Sequence, residues 1–127
     1  MKPTTTKGFR DKLRRACEGV GTYKPEFEGL IWRLAEVYVR MQHARGDFER
    51  TGSKTFVMYT NKAGATNPAK NPYLQELDFL QKTALEMEKE LGLTPASLRK
   101  INEAAMLAVP PEEDALSAAL GALRIIG

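Results

Sequence analysis

The 127-residue chain is long enough for one domain of ordinary size, and 43% of its residues are hydrophobic. Cys17 is the only cysteine, which excludes an intrachain disulfide and a cysteine-based metal cluster. The apolar runs are far shorter than the roughly 20 residues that a membrane helix needs, and no secretory signal opens the sequence. We therefore expect no membrane partner and a location in the cytoplasm in which the chain is made.

The net charge of +3 is unevenly distributed along the chain. Residues 1–24 carry seven cations and two anions, a net charge of +5, whereas residues 101–127 carry one cation and four anions. A basic beginning favours a polyanion or an acidic protein as partner, and an acidic end is expected to avoid nucleic acid.

Residues 1–24 are predicted to form a basic N-terminal arm, mobile to about Lys7, and a helix from Gly8 to Glu18. Phe9 and Leu13 would lie on one side of this helix, and cations cover much of the other. Such a surface can hold DNA phosphates, although an ordinary solvated helix face explains the same pattern equally well. The candidate DNA-binding residues are Lys7, Arg10, Lys12, Arg14, Arg15 and Lys24.

The longest predicted helix begins at Pro25, and its apolar stripe runs from Phe27 to Phe48. Trp32 lies off this stripe. An aromatic residue of that size outside the stripe indicates burial against a second element or another subunit.

A β-hairpin is predicted at about residues 54–67, with a turn over Asn61 to Gly64 and a return strand at 65–67. Phe56 and Met58 point to one face and Val57 and Tyr59 to the other. Both faces need cover, which a small hairpin obtains only from helices or neighbouring chains. The residue pattern leaves open whether this cover comes from the same chain or from another copy.

Two helices are predicted to begin after the hairpin. Each start is indicated by a capping residue followed by proline, at Asn71-Pro72 and Thr94-Pro95. The first helix is predicted to end at Gly92 and the second to reach about Met106. The apolar seam of the first helix is formed by Tyr73, Leu77, Leu80, Ala84, Met87 and Leu91, widened by Leu74 and Leu85.

Residues 109–127 are predicted to be an acidic, amphipathic tail that begins with a stiff break at Pro110-Pro111. Its first turn is anionic, and apolar residues recur behind it at helical spacing. A helix this short packs on its own domain or is kept for a partner, and the two prolines favour the partner.

Residue patterns for catalysis are missing from the sequence. His43 is the only histidine, there is no CxxC, HExxH or acidic metal loop, and neither a GxxxxGKS nor a GxGxxG phosphate loop occurs. Ser53 and Ser97 have no base near them in the sequence. We therefore expect a protein that is not an enzyme, with no catalytic residue, metal, cofactor or small-molecule ligand.

The segment Leu91 to Ser97, LGLTPAS, at the end of a helix that starts with an Asn-Pro pair, resembles the C-terminal signature of a family of phage terminase small subunits. The order of elements is also similar: a basic segment, a Gly-Thr-Tyr break, a long apolar-striped helix, and a hairpin with an Asn-Lys-Ala-Gly turn. The resemblance covers roughly residues 10 to 105.

This resemblance implies a mainly α fold with a small β-hairpin, in which an antiparallel pair of long helices and short flanking helices assembles into a ring. Residues 25–108 would then be a helical core used for oligomerisation, with the subunit interface at Trp32, Phe56, Met58 and Tyr59. It also implies a non-enzymatic protein that binds double-stranded viral DNA in the host bacterial cytoplasm. The partner would be the terminase large subunit, which carries the ATPase and nuclease. The expected large-subunit contact is the tail, at Glu112, Glu113, Asp114, Leu116 and Leu120.

Two other functions fit the same sequence. A small helical DNA-binding transcriptional regulator, in dimeric form, would use the same basic helix. A protein-binding structural adaptor would use the hairpin and the tail, with the N-terminal charge incidental.

Overall fold

The computed structural model describes residues 2–108, so the predicted tail lies outside the described residues. The described chain is mainly helical with one two-stranded antiparallel sheet, as predicted. The elements in chain order are α1 Thr6–Val20, a 3₁₀ turn Pro25–Phe27, α2 Glu28–Arg50, β1 Phe56–Thr60, β2 Thr66–Lys70, α3 Pro72–Glu90 and α4 Pro95–Ala108.

Helix α1 is longer at both ends than the sequence predicted. It begins at Thr6 because the Thr5 hydroxyl accepts a hydrogen bond from the Gly8 amide at 3.1 Å. Its last residue is Val20. The following residue, Gly21, caps the helix in the left-handed conformation, with a φ of 81°. The predicted start of the next helix at Pro25 is a 3₁₀ turn, and regular α2 begins three residues later.

Helix α2 lies between α1 and α3 and contacts both. The Phe9 ring of α1 lies 5.5 Å from the Tyr38 ring of α2. On the other side, the Tyr38 hydroxyl donates to Glu88 near the end of α3, whereas the end of α2 adjoins the start of α3. The two long helices therefore run antiparallel.

The core is a single cluster to which all three of these helices contribute. Helix α1 supplies Leu13 and Cys17, and the seam of α3 is narrower than the sequence predicted. Tyr73 and Leu85, which were predicted to belong to it, are exposed. The buried apolar residues of α2, α3 and the segment after α3 are Ile31, Leu34, Ala35, Val37, Ala44, Leu77, Leu80, Ala84 and Leu91.

Asn71 joins the end of α2, the hairpin and the start of α3, and it is fully buried. Its side-chain oxygen accepts from the Tyr73 amide at 3.1 Å, which confirms the predicted cap. Its side-chain nitrogen donates to the Thr51 hydroxyl at 2.8 Å and to the Lys54 carbonyl at 2.9 Å. Every polar group of this buried side chain is therefore satisfied.

Gly92 closes α3 and marks the junction with the α1–α2 connection and α4. Its φ is +67°, and a β-carbon here would lie 2.9 Å from the Thr22 methyl group and 3.0 Å from Ile101. The Thr22 hydroxyl donates to the Leu91 carbonyl at 2.7 Å. Helix α4 then begins at Pro95, and the predicted Thr94 cap accepts from the Ser97 amide at 3.3 Å.

The hairpin pairs Phe56 with Lys70 and Thr60 with Thr66, so the return strand is longer than the predicted 65–67. Pro68 lies within this strand. Proline is tolerated there because both strands of a two-stranded sheet are edge strands. The pair Val57 and Ala69 is half-buried, whereas every other residue of the two strands is exposed.

Candidate nucleic-acid interface

The six cations predicted to bind DNA lie on and after α1. Five of them are spread over the helix surface that turns away from the buried Leu13 and Cys17, and Lys24 follows in the loop before the 3₁₀ turn. All are exposed except Arg10, which is half-buried. The helical period of the sequence thus separates an apolar face from a cationic one.

Two of the six cations, Arg10 and Arg14, are already paired with carboxylates. Arg10 lies 2.8 Å from Asp11, and Arg14 lies 3.2 Å from Glu18. Both also approach Glu28 of α2, at 3.9 and 3.8 Å. Part of the positive charge of α1 is therefore neutralised within the chain.

Glu28 and Tyr23 complete this polar cluster, and both were missed as site residues by the sequence reasoning. The Tyr23 hydroxyl donates to Glu28 at 2.5 Å, and this hydrogen bond raises the pKa of Tyr23. The Arg14 guanidinium lies 5.0 Å from the centre of the Tyr23 ring, and its hydrogen bond to Glu18 raises the pKa of Arg14. The sequence offered only a weak signal, since Glu28 is expected at a helix N-terminus in any case.

The other cations are available to a ligand. Lys7, Lys12, Arg15 and Lys24 form no ion pair with any carboxylate in the part of the chain that the structure describes. Lys12 and Arg15 line an open groove of about 800 Å³ between α1 and the N-terminal segment, together with Lys2, Thr5, Gly8 and Asp11.

The N-terminal segment before α1 lies against α2 and was predicted to be a mobile arm. The Pro3 carbonyl accepts a hydrogen bond from the Gln42 side chain at 3.1 Å. Behind it, an apolar groove of about 570 Å³ is lined by Phe9, Leu13 and Met41 among others. Lys2 is thereby placed beside the cations of α1.

The four residues predicted to form an oligomer interface are all exposed in the single chain. Trp32 keeps 42% of its surface, Phe56 61%, Met58 66% and Tyr59 61%. Among residues 2–108, no second element buries Trp32. At 1.5 Å per residue, the helix from Trp32 to Thr51 is about 28 Å long, so the tryptophan and the hairpin lie far apart.

The described residues were also compared with the requirements of a metal site and of a membrane-spanning helix. Among residues 2–108, no group of three or more histidine, cysteine, aspartate and glutamate side chains is placed to hold a metal ion. Within the same residues, no helix combines the length and the apolar character needed to cross a membrane.

The described fold is that of a small, mainly helical protein with a basic first helix and with exposed apolar residues at Trp32 and on the hairpin, among others. Residues 8–106 match the family model described as phage terminase, small subunit. Because the match covers most of the chain, the chain belongs to the phage terminase small-subunit family, and the resemblance seen in Leu91 to Ser97 is confirmed. Small subunits of this kind are generally non-catalytic. Comparison with curated proteins and with solved structures gave no match.

Proposed function

We propose that the protein is the non-catalytic small subunit of a phage terminase and acts in genome packaging in the host bacterial cytoplasm. It binds double-stranded viral DNA and recruits or regulates the large subunit with the ATPase and nuclease. The observation that carries the proposal is a family match over residues 8–106 in a chain whose first helix presents uncompensated cations.

The DNA contact is proposed to use six of the seven cations in the first 24 residues, in two ways. Lys7, Lys12, Arg15 and Lys24 are exposed and can meet phosphates directly. Arg10 and Arg14 must first exchange a carboxylate for a phosphate. Exchange is feasible because an exposed ion pair stabilises a protein by only about 0–1 kcal/mol.

A ring of subunits is proposed because it allows a few phosphate contacts per subunit to give tight DNA binding. Each subunit offers a handful of cations, which alone give weak, salt-sensitive binding. When several subunits meet one DNA molecule, each contact after the first is effectively intramolecular, and the overall affinity rises steeply. The proposed interface between subunits contains Trp32, Phe56, Met58 and Tyr59.

The DNA contact is tested with the double variant Lys12→Gln/Arg15→Gln, assayed by fluorescence anisotropy on a labelled duplex at several salt concentrations. Each phosphate contact contributes about 0.9 to the slope of log affinity against log salt concentration, so the slope should fall by about 2 for each bound subunit. The matched control, Lys82→Gln/Lys100→Gln, removes the same charge from exposed positions on α3 and α4. Equal slopes for both variants would refute the α1 contact.

The large-subunit contact is proposed for the tail, at Glu112, Glu113, Asp114, Leu116 and Leu120, which lie outside the described residues. Deletion of residues 109–127 should abolish co-purification with the large subunit and leave DNA affinity unchanged. Unchanged co-purification would remove the tail from the proposal.

A further inference from the structure

The apolar groove behind the N-terminal segment is open, although its walls are made of side chains that usually lie in a core. It has a volume of about 570 Å³, and its walls include Phe9 and Ala16 of α1, Met41 of α2 and Leu93, which follows α3. Ala16 is exposed, and the other three side chains are only half-buried. A groove of this size can hold several apolar groups of an occupant.

The rim of this groove is positively charged. Lys2, Lys12 and Arg45 line it, and none of the three forms an ion pair with a carboxylate of residues 2–108. Glu88 is the one carboxylate among the described lining residues, and it already accepts the hydrogen bond of Tyr38. The groove is therefore suited to an occupant that combines apolar side chains with negative charge.

The tail, residues 109–127, has the composition that such an occupant needs. It lies outside the described residues, and its sequence contains one cation and three anions, a net charge of −2. The three anions are consecutive, at residues 112–114, and Leu116, Leu120 and Leu123 follow them at the spacing of one helix face. The tail is thus complementary to the groove both in apolar character and in charge.

The groove also lies within reach of the tail. Leu93 lines the groove, and α4 begins two residues later at Pro95. Helix α4 has 14 residues and is therefore about 21 Å long. At up to about 3.5 Å per residue, the chain from Ala108 to Leu120 can span about 40 Å, roughly twice the length of α4. The tail can therefore return from the end of α4 to the groove beside its start.

We propose that the apolar groove holds residues 112–123 of the same chain, with the leucines on its apolar walls and the acidic run near the cations of its rim. The regulatory consequence rests on the proposed large-subunit contact, whereas docking itself does not. Because the same residues are proposed to bind the large subunit, one tail cannot occupy both sites. A docked fraction of about 90% lowers the apparent affinity for the large subunit about tenfold, since only the undocked fraction can bind.

Docking is tested on the full chain by hydrogen exchange followed by mass spectrometry. Ala16→Glu puts a larger, negatively charged side chain into the groove from an exposed position, so the variant should fold, which circular dichroism verifies. We expect the amides of residues 112–123 to exchange about tenfold faster in this variant than in the unchanged chain. The matched control, Ala63→Glu, makes the same substitution at an exposed position of the hairpin turn and should leave this exchange unchanged.

Carbodiimide cross-linking, which joins a carboxylate directly to a neighbouring lysine, tests where the acidic run lies. We expect links from residues 112–114 to Lys2 or Lys12, in a product with the mass of one chain. The same links in a product with the mass of two chains would assign the groove to the tail of a neighbouring copy. Links to Lys54 or Lys62 would place the tail on the hairpin. Either of these two results would overturn the inference.

Binding of the large subunit separates a failure of docking from a failure of the proposed function. If both are correct, Ala16→Glu binds the large subunit about tenfold more tightly than the unchanged chain does. DNA affinity should stay the same, because Lys12 is the only cation of the proposed DNA contact among the described residues that line the groove. Exchange that becomes faster in Ala16→Glu, without large-subunit binding by either chain, would support docking and refute the proposed tail contact. Equal exchange of residues 112–123 in Ala16→Glu and in the unchanged chain would refute docking.

Discussion

Replacement of Asn71 by alanine removes the side chain that joins α2, the hairpin and α3. Loss of a helix cap costs about 1 kcal/mol, and the two hydrogen bonds donated to Thr51 and Lys54 contribute about 1 kcal/mol each. We therefore expect the free energy of unfolding to fall by about 3 kcal/mol, a large share of the 5–15 kcal/mol typical of a domain.

Asn71→Ser separates the two contributions. The serine hydroxyl can still cap α3 but cannot reach both acceptors of the amide nitrogen, so the expected loss is about 2 kcal/mol. Asn67→Ala on the exposed strand β2 is the control and should change stability by less than about 0.5 kcal/mol.

Urea unfolding followed by far-ultraviolet circular dichroism measures these differences. All variants are compared at one protein concentration, because assembly shifts apparent stability by mass action. If Asn71→Ala lost less than about 1 kcal/mol, the buried hydrogen bonds would not hold the junction, and our reasoning about it would be wrong.

Three further predictions concern single-residue substitutions and one buried thiol. Burial and the hydrogen bond to Glu88 raise the pKa of Tyr38, so its folded-state pKa exceeds its unfolded value. The associated stability is present at neutral pH and is lost as the pH rises past about 10, where the unfolded phenol ionises. Unfolding free energies at pH 8 and pH 11 should therefore differ less in Tyr38→Phe than in the unchanged chain; an equal difference would contradict this role. Gly92→Ala should destabilise by about 1–3 kcal/mol because its φ is positive and its surroundings are crowded, whereas Gly46→Ala inside α2 should stabilise by up to about 1 kcal/mol. Thermal unfolding checks both signs, and a stabilising Gly92→Ala would refute the close approach. Cys17 is fully buried, and burial raises the pKa of its thiol. A thiol reagent should therefore react with Cys17 only after the chain unfolds. Fast reaction of the folded chain would show instead that α1 opens.

The sequence predicted best those features that depend on neighbouring residues. Asn71-Pro72 and Thr94-Pro95 fix helix starts through groups two or three residues away, and the structure confirms both caps. The alternation in the hairpin also predicted which residues share a face, because that property follows from the pleat alone.

Features that depend on contacts between distant residues were predicted less well. The end of the return strand was placed three residues too early, since Pro68 reads as a break until its edge position is known. The pairing of Arg10 and Arg14 with Glu28 could not be foreseen, because it requires the relative position of α1 and α2. The sequence therefore identified the cations of α1, but it did not show which of them form ion pairs with carboxylates of the same chain.

The placement of Leu13 and Cys17 in the common core has a mechanical consequence. The same helix that presents Lys12 and Arg15 outward is held inward by these residues, and the loop after it is fixed to the end of α3 through Thr22. The basic surface is thus connected to the helix pair both through the core and through this loop. Under the proposed DNA contact at α1, a pull on the DNA would be transmitted to α2 and α3 through these contacts.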